Sequence, residues 1–95
     1  MTVEEFINDL KNIEIEETRD AGGGLEGCYV IFCKWRYDTN WTYSQTFTSK
    51  DSLLTSASQI NPDVFARQHI QVLFLNPNWT QPYFELLNTE DYYDE

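Results

Sequence analysis

Hydrophobic residues at the start of the chain recur with the period of an α-helix. Four apolar side chains follow the spacing i, i+3, i+4 and i+7, and they are Val3, Phe6, Ile7 and Leu10. Thr2 and Glu5 have the spacing of a capping box, in which each side chain accepts a hydrogen bond from the other residue's backbone N–H. The pattern therefore predicts a short amphipathic helix over residues 3–11.

Three segments after this helix alternate between apolar and polar residues, as half-buried strands do. The first covers residues 13–18, and its solvent face is acidic. Residues 28–37 are the strongest strand candidate, and the turn sequence Asp38-Thr39-Asn40 joins them to residues 41–47 in a hairpin. A three-residue loop would place Trp35 opposite Tyr43 and Ile31 opposite Phe47. Together the three segments predict an antiparallel sheet that requires a helix on its apolar face.

The second half of the chain contains signals for further helices and one more strand. Thr48 and Asp51 have capping-box spacing, and an apolar stripe follows them, which predicts a helix over residues 50–59. Asn61-Pro62-Asp63 ends that helix or caps a short turn after it. Residues 70–75 are almost continuously apolar, and their β-branched content favours a buried strand over a helix. A last helix is expected to begin at Thr80 and to run through Leu87.

These elements predict an α+β fold with an N-terminal helix, a three- to four-stranded antiparallel sheet and one or two further helices. A chain of 95 residues has room for one domain. We assign that domain to residues 1–88 and interpret residues 89–95 as an acidic tail. Hydrophobic residues make up 41% of the chain and aromatic residues 16%, which argues against intrinsic disorder despite a net charge of -10.

The acidic residues lie mainly at the two ends of the chain. Residues 1–26 carry eight acids and two bases, a net charge of -6, and residues 85–95 carry five acids and no base, a net charge of -5. The middle contains four bases and three acids, so the three segments add to -10. A surface this acidic repels nucleic acid and anionic membranes and attracts basic protein surfaces. We therefore expect a protein partner, with no direct binding of nucleic acid or membrane.

Targeting signals and cysteine usage are typical of a cytoplasmic protein. No apolar run approaches the roughly 20 residues of a membrane span, and the first five residues are acidic where a signal peptide is basic. Cys28 and Cys33 lie on one expected strand and point to opposite faces, so they are too far apart to form a disulfide. Reduced cysteines agree with a cytoplasmic location.

The chain lacks the residue groups that catalysis or metal binding requires. His69 is its single histidine, and with Cys28 and Cys33 it supplies three metal ligands where a structural zinc site uses four. The glycine-rich segment 22–27 has neither the Lys-Ser/Thr of a phosphate-binding loop nor a following helix. We therefore expect no enzyme activity, no metal and no cofactor.

The candidate partner-binding residues are the terminal acids and two neighbouring tyrosines. Same-face residues on a strand are about 6.6 Å apart, so Glu14 and Glu16 would present carboxylates at nearly the spacing of successive phosphates in a nucleic-acid strand. Five further acids could extend this row, namely Glu4, Glu5, Asp9, Glu17 and Asp20. A protein groove that binds nucleic acid through Lys and Arg could accept such a surface as a competitor. The alternative is that these charges only keep a small domain soluble.

The C-terminal tail forms a second candidate site. It places two aromatic residues among four acids, in the order Glu90, Asp91, Tyr92, Tyr93, Asp94 and Glu95. Tyrosines are favoured at interfaces, and carboxylates steer the encounter with a basic partner. A frayed, solvated terminus is the alternative interpretation.

Taken together, residues 2–59 resemble the small phage-encoded anti-CRISPR proteins that block a Cas nuclease by DNA mimicry. The resemblance depends on strong acidity, on small size and on the helix Thr2-Val3-Glu4-Glu5-Phe6-Ile7-Asn8-Asp9-Leu10-Lys11-Asn12 followed by strands. It implies an inhibitor that occupies the nucleic-acid site of a Cas effector in the host cytoplasm. Residues 60–95 depart from the pattern through the apolar run 70–75.

Two other classes of function agree with the same features. An immunity protein that neutralises a basic toxin would also be small and acidic. A phage structural or adaptor protein, acting as a monomer or dimer, could use the aromatic end of the hairpin as a contact patch. That patch would comprise Trp35, Tyr37, Trp41 and Tyr43, although we expect these aromatics to belong to the core.

Overall fold

The computed structural model describes residues 1–13, 27–77 and 82–92, which form an α+β fold. Its helices are α1 (Val3–Asn12), α2 (Lys50–Ala57) and α3 (Pro62–Ala66), and a short 3₁₀ helix covers Thr89–Tyr92. Its strands are β1 (Cys28–Trp35), β2 (Thr42–Phe47), β3 (Gln68–Leu75) and β4 (Tyr83–Asn88). The predicted α+β fold class is confirmed, because the described residues form an N-terminal helix, a sheet of four strands where three to four were predicted, and two further helices where one or two were predicted.

The four strands form one antiparallel sheet in the order β2-β1-β3-β4. β1 pairs along its whole length with β3, from Cys28 opposite Leu75 to Trp35 opposite Gln68. The apolar run at residues 70–75 is therefore a strand, as predicted, and it lies in the centre of the sheet. The predicted strand at residues 13–18 lies outside the described residues except for Ile13, which is the C-cap of α1 in an extended conformation.

One face of the sheet carries all three helices and the hydrophobic core. Phe6 and Leu10 of α1 are fully buried, and the Phe6 ring meets the ring of Phe65 in α3 at a centroid distance of 5.4 Å. The other buried members of this cluster come from α2 and from three strands, namely Phe47, Leu53, Ala57, Ile70, Val72 and Leu87. The core thus holds α1, α2 and α3 on the same side of the sheet.

Side-chain caps determine where the helices begin. The capping box of α1 forms as predicted, because Glu5 N donates to Thr2 Oγ1 and Thr2 N donates to Glu5 Oε1. The N-cap of α2 is Ser49, whose hydroxyl accepts a hydrogen bond from Ser52 N. The predicted cap at Thr48 is therefore wrong by one residue. Asn61 caps the short helix α3, which confirms that the Asn-Pro-Asp sequence begins a following turn.

A bulge in the hairpin overturns the predicted register of β1 and β2. Phe47 lies opposite Tyr29, two residues away from the predicted partner Ile31. The pairing then shifts, so that Ile31 faces Gln45 while Phe32 faces Tyr43, with Ser44 as the extra residue of β2. An extra residue reverses the side-chain alternation, so the side chain of Tyr43 points away from the face that buries Phe47.

The predicted last helix, from Thr80 to Leu87, is wrong, because Tyr83–Asn88 forms the edge strand β4. A second bulge explains why the pattern is misleading. Val72 pairs with Leu87 and Leu73 pairs with Glu85, so Leu86 is an extra residue in β4. Leu86 and Leu87 both pack against the core, and Phe84 lies opposite the buried Phe74. The resulting spacing of apolar residues resembles that of a helix, although these residues form a strand that pairs with β3.

Candidate functional site

The acids of the N-terminal candidate site lie on the helix side of the sheet where the structure describes them. Glu4 and Glu5 are exposed in the first turn of α1, and Asp9 is half-buried one turn later. Glu5 has a structural role as well, because its carboxylate closes the capping box. The remaining predicted residues of this site, Glu14, Glu16, Glu17 and Asp20, lie outside the described residues.

The C-terminal candidate site begins in the 3₁₀ helix that follows β4. Glu90 and Asp91 are exposed there, and Tyr92 ends the helix. Thr89 is buried, and its hydroxyl accepts a hydrogen bond from Ile70 N at 2.8 Å, so the folded chain extends past residue 88. Tyr93, Asp94 and Glu95 lie outside the described residues.

Lys34 connects this helix to the hairpin loop. Its Nζ lies 3.0 Å from Glu90 Oε2 and 4.6 Å from the centroid of the Trp41 ring. The side chain of Lys34 is only 9% exposed, whereas that of Glu90 is 44% exposed. Because Lys34 alternates with the core-facing Cys33 on β1, it points to the face of the sheet opposite α1. Among the described acids, Glu4, Glu5 and Asp9 on α1 therefore lie on the side of the sheet opposite to the Glu90–Lys34 ion pair.

In the described part of the chain, acids outnumber bases by more on the exposed surface than they do among all described residues. Eight of the nine described acids are exposed, namely Glu4, Glu5, Asp38, Asp51, Asp63, Glu85, Glu90 and Asp91. Three of the five described bases are exposed, namely Lys11, Arg36 and Arg67. Lys34 and Lys50 are half-buried and bonded within the fold. Lys50 Nζ donates to Lys11 O at 2.9 Å and to Ile13 O at 2.6 Å, which satisfies carbonyl groups at the end of α1.

The aromatic residues of the hairpin are mostly outside the core, which corrects the expectation from the sequence. Tyr37 is 82% exposed, Tyr43 is 56% exposed and Trp35 is 37% exposed. The Trp35 and Tyr37 rings are almost parallel, with a centroid distance of 6.5 Å. Tyr43 instead meets the edge of Phe32 at 5.9 Å, on the face that also carries Lys34. The bulge at Ser44 therefore separates two aromatic groups that the alternating pattern had placed together.

A cleft of about 440 Å³ lies on the helix side, between the end of α1 and the start of α2. Its walls include the apolar residues Leu10, Leu53 and Phe74, with Tyr29 and Lys50 among its polar groups. Burial raises the pKa of Tyr29 above its ordinary value, so its phenol stays protonated at neutral pH. None of the predicted partner-binding residues lines this cleft in the described part of the chain.

The described residues contain no arrangement typical of a metal centre. Within residues 1–13, 27–77 and 82–92, no three side chains of His, Cys, Asp or Glu are grouped closely enough to hold a metal ion. Cys28 and Cys33 are both free thiols, and Cys33 packs against the core from the face opposite to that of Cys28. No helix among the described residues combines the length and the hydrophobicity that crossing a membrane requires.

Comparisons with known proteins give no relative to which this chain can be assigned. No family model, no curated protein sequence and no solved structure matches it. The features that sequence reasoning missed are Lys34 held between Glu90 and Trp41, and the outward position of Tyr43. A lysine inside an otherwise apolar strand was the available signal for the first of these.

Proposed function

We propose that this chain is an acidic protein-binding inhibitor that occupies the nucleic-acid site of another protein. A host defence nuclease such as a Cas effector is the target class that the resemblance to phage anti-CRISPR proteins implies. The observation that carries the proposal is the concentration of acids at the two ends of the chain. Residues 1–26 carry a net charge of -6 and residues 85–95 a net charge of -5 out of a total of -10, and the described acids Glu4, Glu5, Glu90 and Asp91 are exposed.

A surface of this kind can compete with nucleic acid for physical reasons. Proteins that bind nucleic acid present Lys and Arg to phosphates, and much of their affinity comes from the release of condensed counterions. Carboxylates on a folded surface can occupy the same basic groove and meet the same ammonium and guanidinium groups. The magnitude of the charge exceeds the roughly 2 to 8 that solubility requires of a small domain, which favours a binding role over simple solvation.

Charge reversal tests the proposal. In the N-terminal variant, Glu14, Glu16 and Glu17 are each replaced by Lys. The control variant carries the same change in charge at three acids of the middle segment, Asp38→Lys, Asp51→Lys and Asp63→Lys. The measurement is displacement of a labelled target duplex from a purified, guide-loaded Cas nuclease as each protein is added, with circular dichroism to verify folding.

The expected result is that the wild-type chain and the control displace the duplex, while the N-terminal variant loses this ability and remains folded. Each lost contact between opposite charges weakens binding, and introducing like charge weakens it further. Full displacement by the folded N-terminal variant would contradict mimicry by these acids. Failure of the wild-type chain to displace DNA would contradict the proposed target class.

A further inference from the structure

The sheet has a second face on which none of the described α-helices packs, and which the 3₁₀ helix reaches at one end through the ion pair of Glu90 with Lys34. The core takes its strand residues from one side, including Ile70, Val72 and Phe47. Residues that alternate with them point to the other side, which we call the open face. On the two central strands these residues are Cys28, Val30, Phe32 and Lys34 of β1 and His69, Gln71, Leu73 and Leu75 of β3. The strand register divides the open face into two halves of different chemistry, one at each end of the central pair β1 and β3.

The first half is apolar. Cross-strand pairs on β1 and β3 bring together Cys28 with Leu75 and Val30 with Leu73, and Phe32 follows them. Val30 is only 5% exposed, whereas the other four side chains are half-buried. Two tyrosines stand at the margins, Tyr43 on β2 and Tyr83 on β4, with exposed fractions of 56% and 55%. Tyrosines beside apolar side chains are the composition favoured at the centre of protein interfaces.

The second half of the open face is polar and carries charges of both signs, because Glu85 and Glu90 lie there with Lys34 and with Arg36, whose positive charge acts on His69. Glu85 accepts hydrogen bonds at Oε2 from Gln71 Nε2 at 2.6 Å and from Asn88 Nδ2 at 3.2 Å, which hold its carboxylate in a fixed position. Lys34 is neutralised by Glu90 and covered by the Trp41 ring. Carboxylates that are already positioned lose little freedom when they bind a guanidinium group.

The charge of the chain decides which occupant this face fits. A second copy would bring -10 against -10, and nucleic acid or an anionic membrane would be repelled in the same way. A segment with apolar side chains and neighbouring Arg or Lys residues complements the apolar half of the face, the Glu85 carboxylate and the net negative charge of the chain. We propose that the open face is the docking site for such a basic, partly apolar segment of the target protein. This inference rests on the proposed function and assigns the contact to the sheet in addition to the acidic termini.

Two peptides and three tyrosine substitutions test the docking site. The probes are 13-residue peptides that alternate arginine with leucine or arginine with serine, titrated into the labelled full-length chain at low and at physiological salt. The test variant is Tyr43→Ser with Tyr83→Ser, both of which replace side chains that are about half exposed. The control is Tyr37→Ser, because Tyr37 is 82% exposed but lies away from the open face. It stacks on Trp35, which follows Lys34 on β1 and therefore points to the opposite face of the sheet.

We expect the arginine–leucine peptide to bind at least about tenfold more tightly than the arginine–serine peptide, and the double variant to lose about tenfold in affinity. The control should stay within about twofold of the wild-type chain. Equal binding of both peptides, with no effect of the double substitution, would overturn the docking site and leave the proposed function intact. If the wild-type chain dimerises and the double substitution abolishes the dimer, the open face binds a second copy of the chain, and the proposed docking site is overturned. Absence of binding to either peptide at low salt would contradict the proposed function as well.

Discussion

At the residue scale, the most informative group is the chain's single histidine. His69 is buried and lies opposite Lys34 on the neighbouring strand. Burial lowers the pKa of His69 below its ordinary value, and the positive charges of Arg36 and Lys34 lower it further, while Glu90 acts in the opposite direction and raises it. A lowered pKa means that the folded protein resists protonation more than the unfolded chain does.

Stability is therefore expected to fall as the medium becomes acidic. The unfolded chain takes up a proton near the ordinary histidine pKa of about 6.5, whereas the folded chain takes it up only at lower pH. Between these two values, the unfolded state binds more protons, so the free energy of unfolding decreases as the pH falls. Denaturant unfolding of the wild-type chain between pH 7.5 and pH 5.5 should show this loss, and His69→Gln should reduce it.

The effect of the neighbouring charges on the pKa of His69 can be measured directly. Because the chain has one histidine, its ring protons can be assigned in a proton NMR titration without ambiguity. Lys34→Met removes a nearby positive charge and should raise the pKa of His69, while Glu90→Gln removes the negative charge and should lower it. Shifts in the reverse directions, or a wild-type pKa above the ordinary value, would contradict the described surroundings of His69.

At the element scale, α1 depends on its N-terminal capping box. Thr2→Ala removes the hydroxyl that accepts from Glu5 N, which should cost about 1 kcal/mol of stability. For a domain of this size, a loss of about 1 kcal/mol corresponds to a fall of roughly 4–8 °C in the melting temperature. The measurement is thermal unfolding followed by circular dichroism.

The matched control for this prediction is Thr55→Ala, at an exposed position inside α2. Alanine has the higher helix propensity, so this change should leave the melting temperature unchanged or raise it slightly. If the two substitutions change the melting temperature equally, the capping-box hydrogen bond does not stabilise α1.

The elements also show how far local pattern predicts this fold. The α1 helix follows from its helical periodicity, the hairpin strands follow from their alternation, and β3 follows from its apolar run with β-branched residues. Of these elements, α1 and β3 each bury one regular face. Ser44 and Leu86 are bulge residues that shift the alternation by one position. A bulge is decided by how a strand pairs with its neighbour in three dimensions, so the spacing of residues within the strand does not reveal it. This is why Tyr43 was expected in the core and β4 was expected to be a helix.

At the scale of the whole molecule, the candidate site is only partly predictable from sequence. The acidic ends are visible in the amino-acid order, but the structure places Glu4 and Glu90 on opposite sides of the sheet. The open face, with Val30 and Tyr83 brought together from distant segments, depends on the strand order β2-β1-β3-β4. Strand order is a long-range property that periodicity does not encode. The claim that a basic protein is the partner rests on charge at this scale.

Capture from a bacterial lysate, with duplex DNA as competitor, tests whether the partner of this chain is a basic protein that binds nucleic acid. Tagged protein is exposed to the lysate across a series of salt concentrations, with and without duplex DNA, and the retained proteins are identified by mass spectrometry. The account predicts a nucleic-acid-binding protein that is retained at low salt, released as salt rises and displaced by the duplex. Retention of a partner that DNA does not displace, such as a cognate toxin or a structural protein, would contradict it, as would the retention of no protein at all.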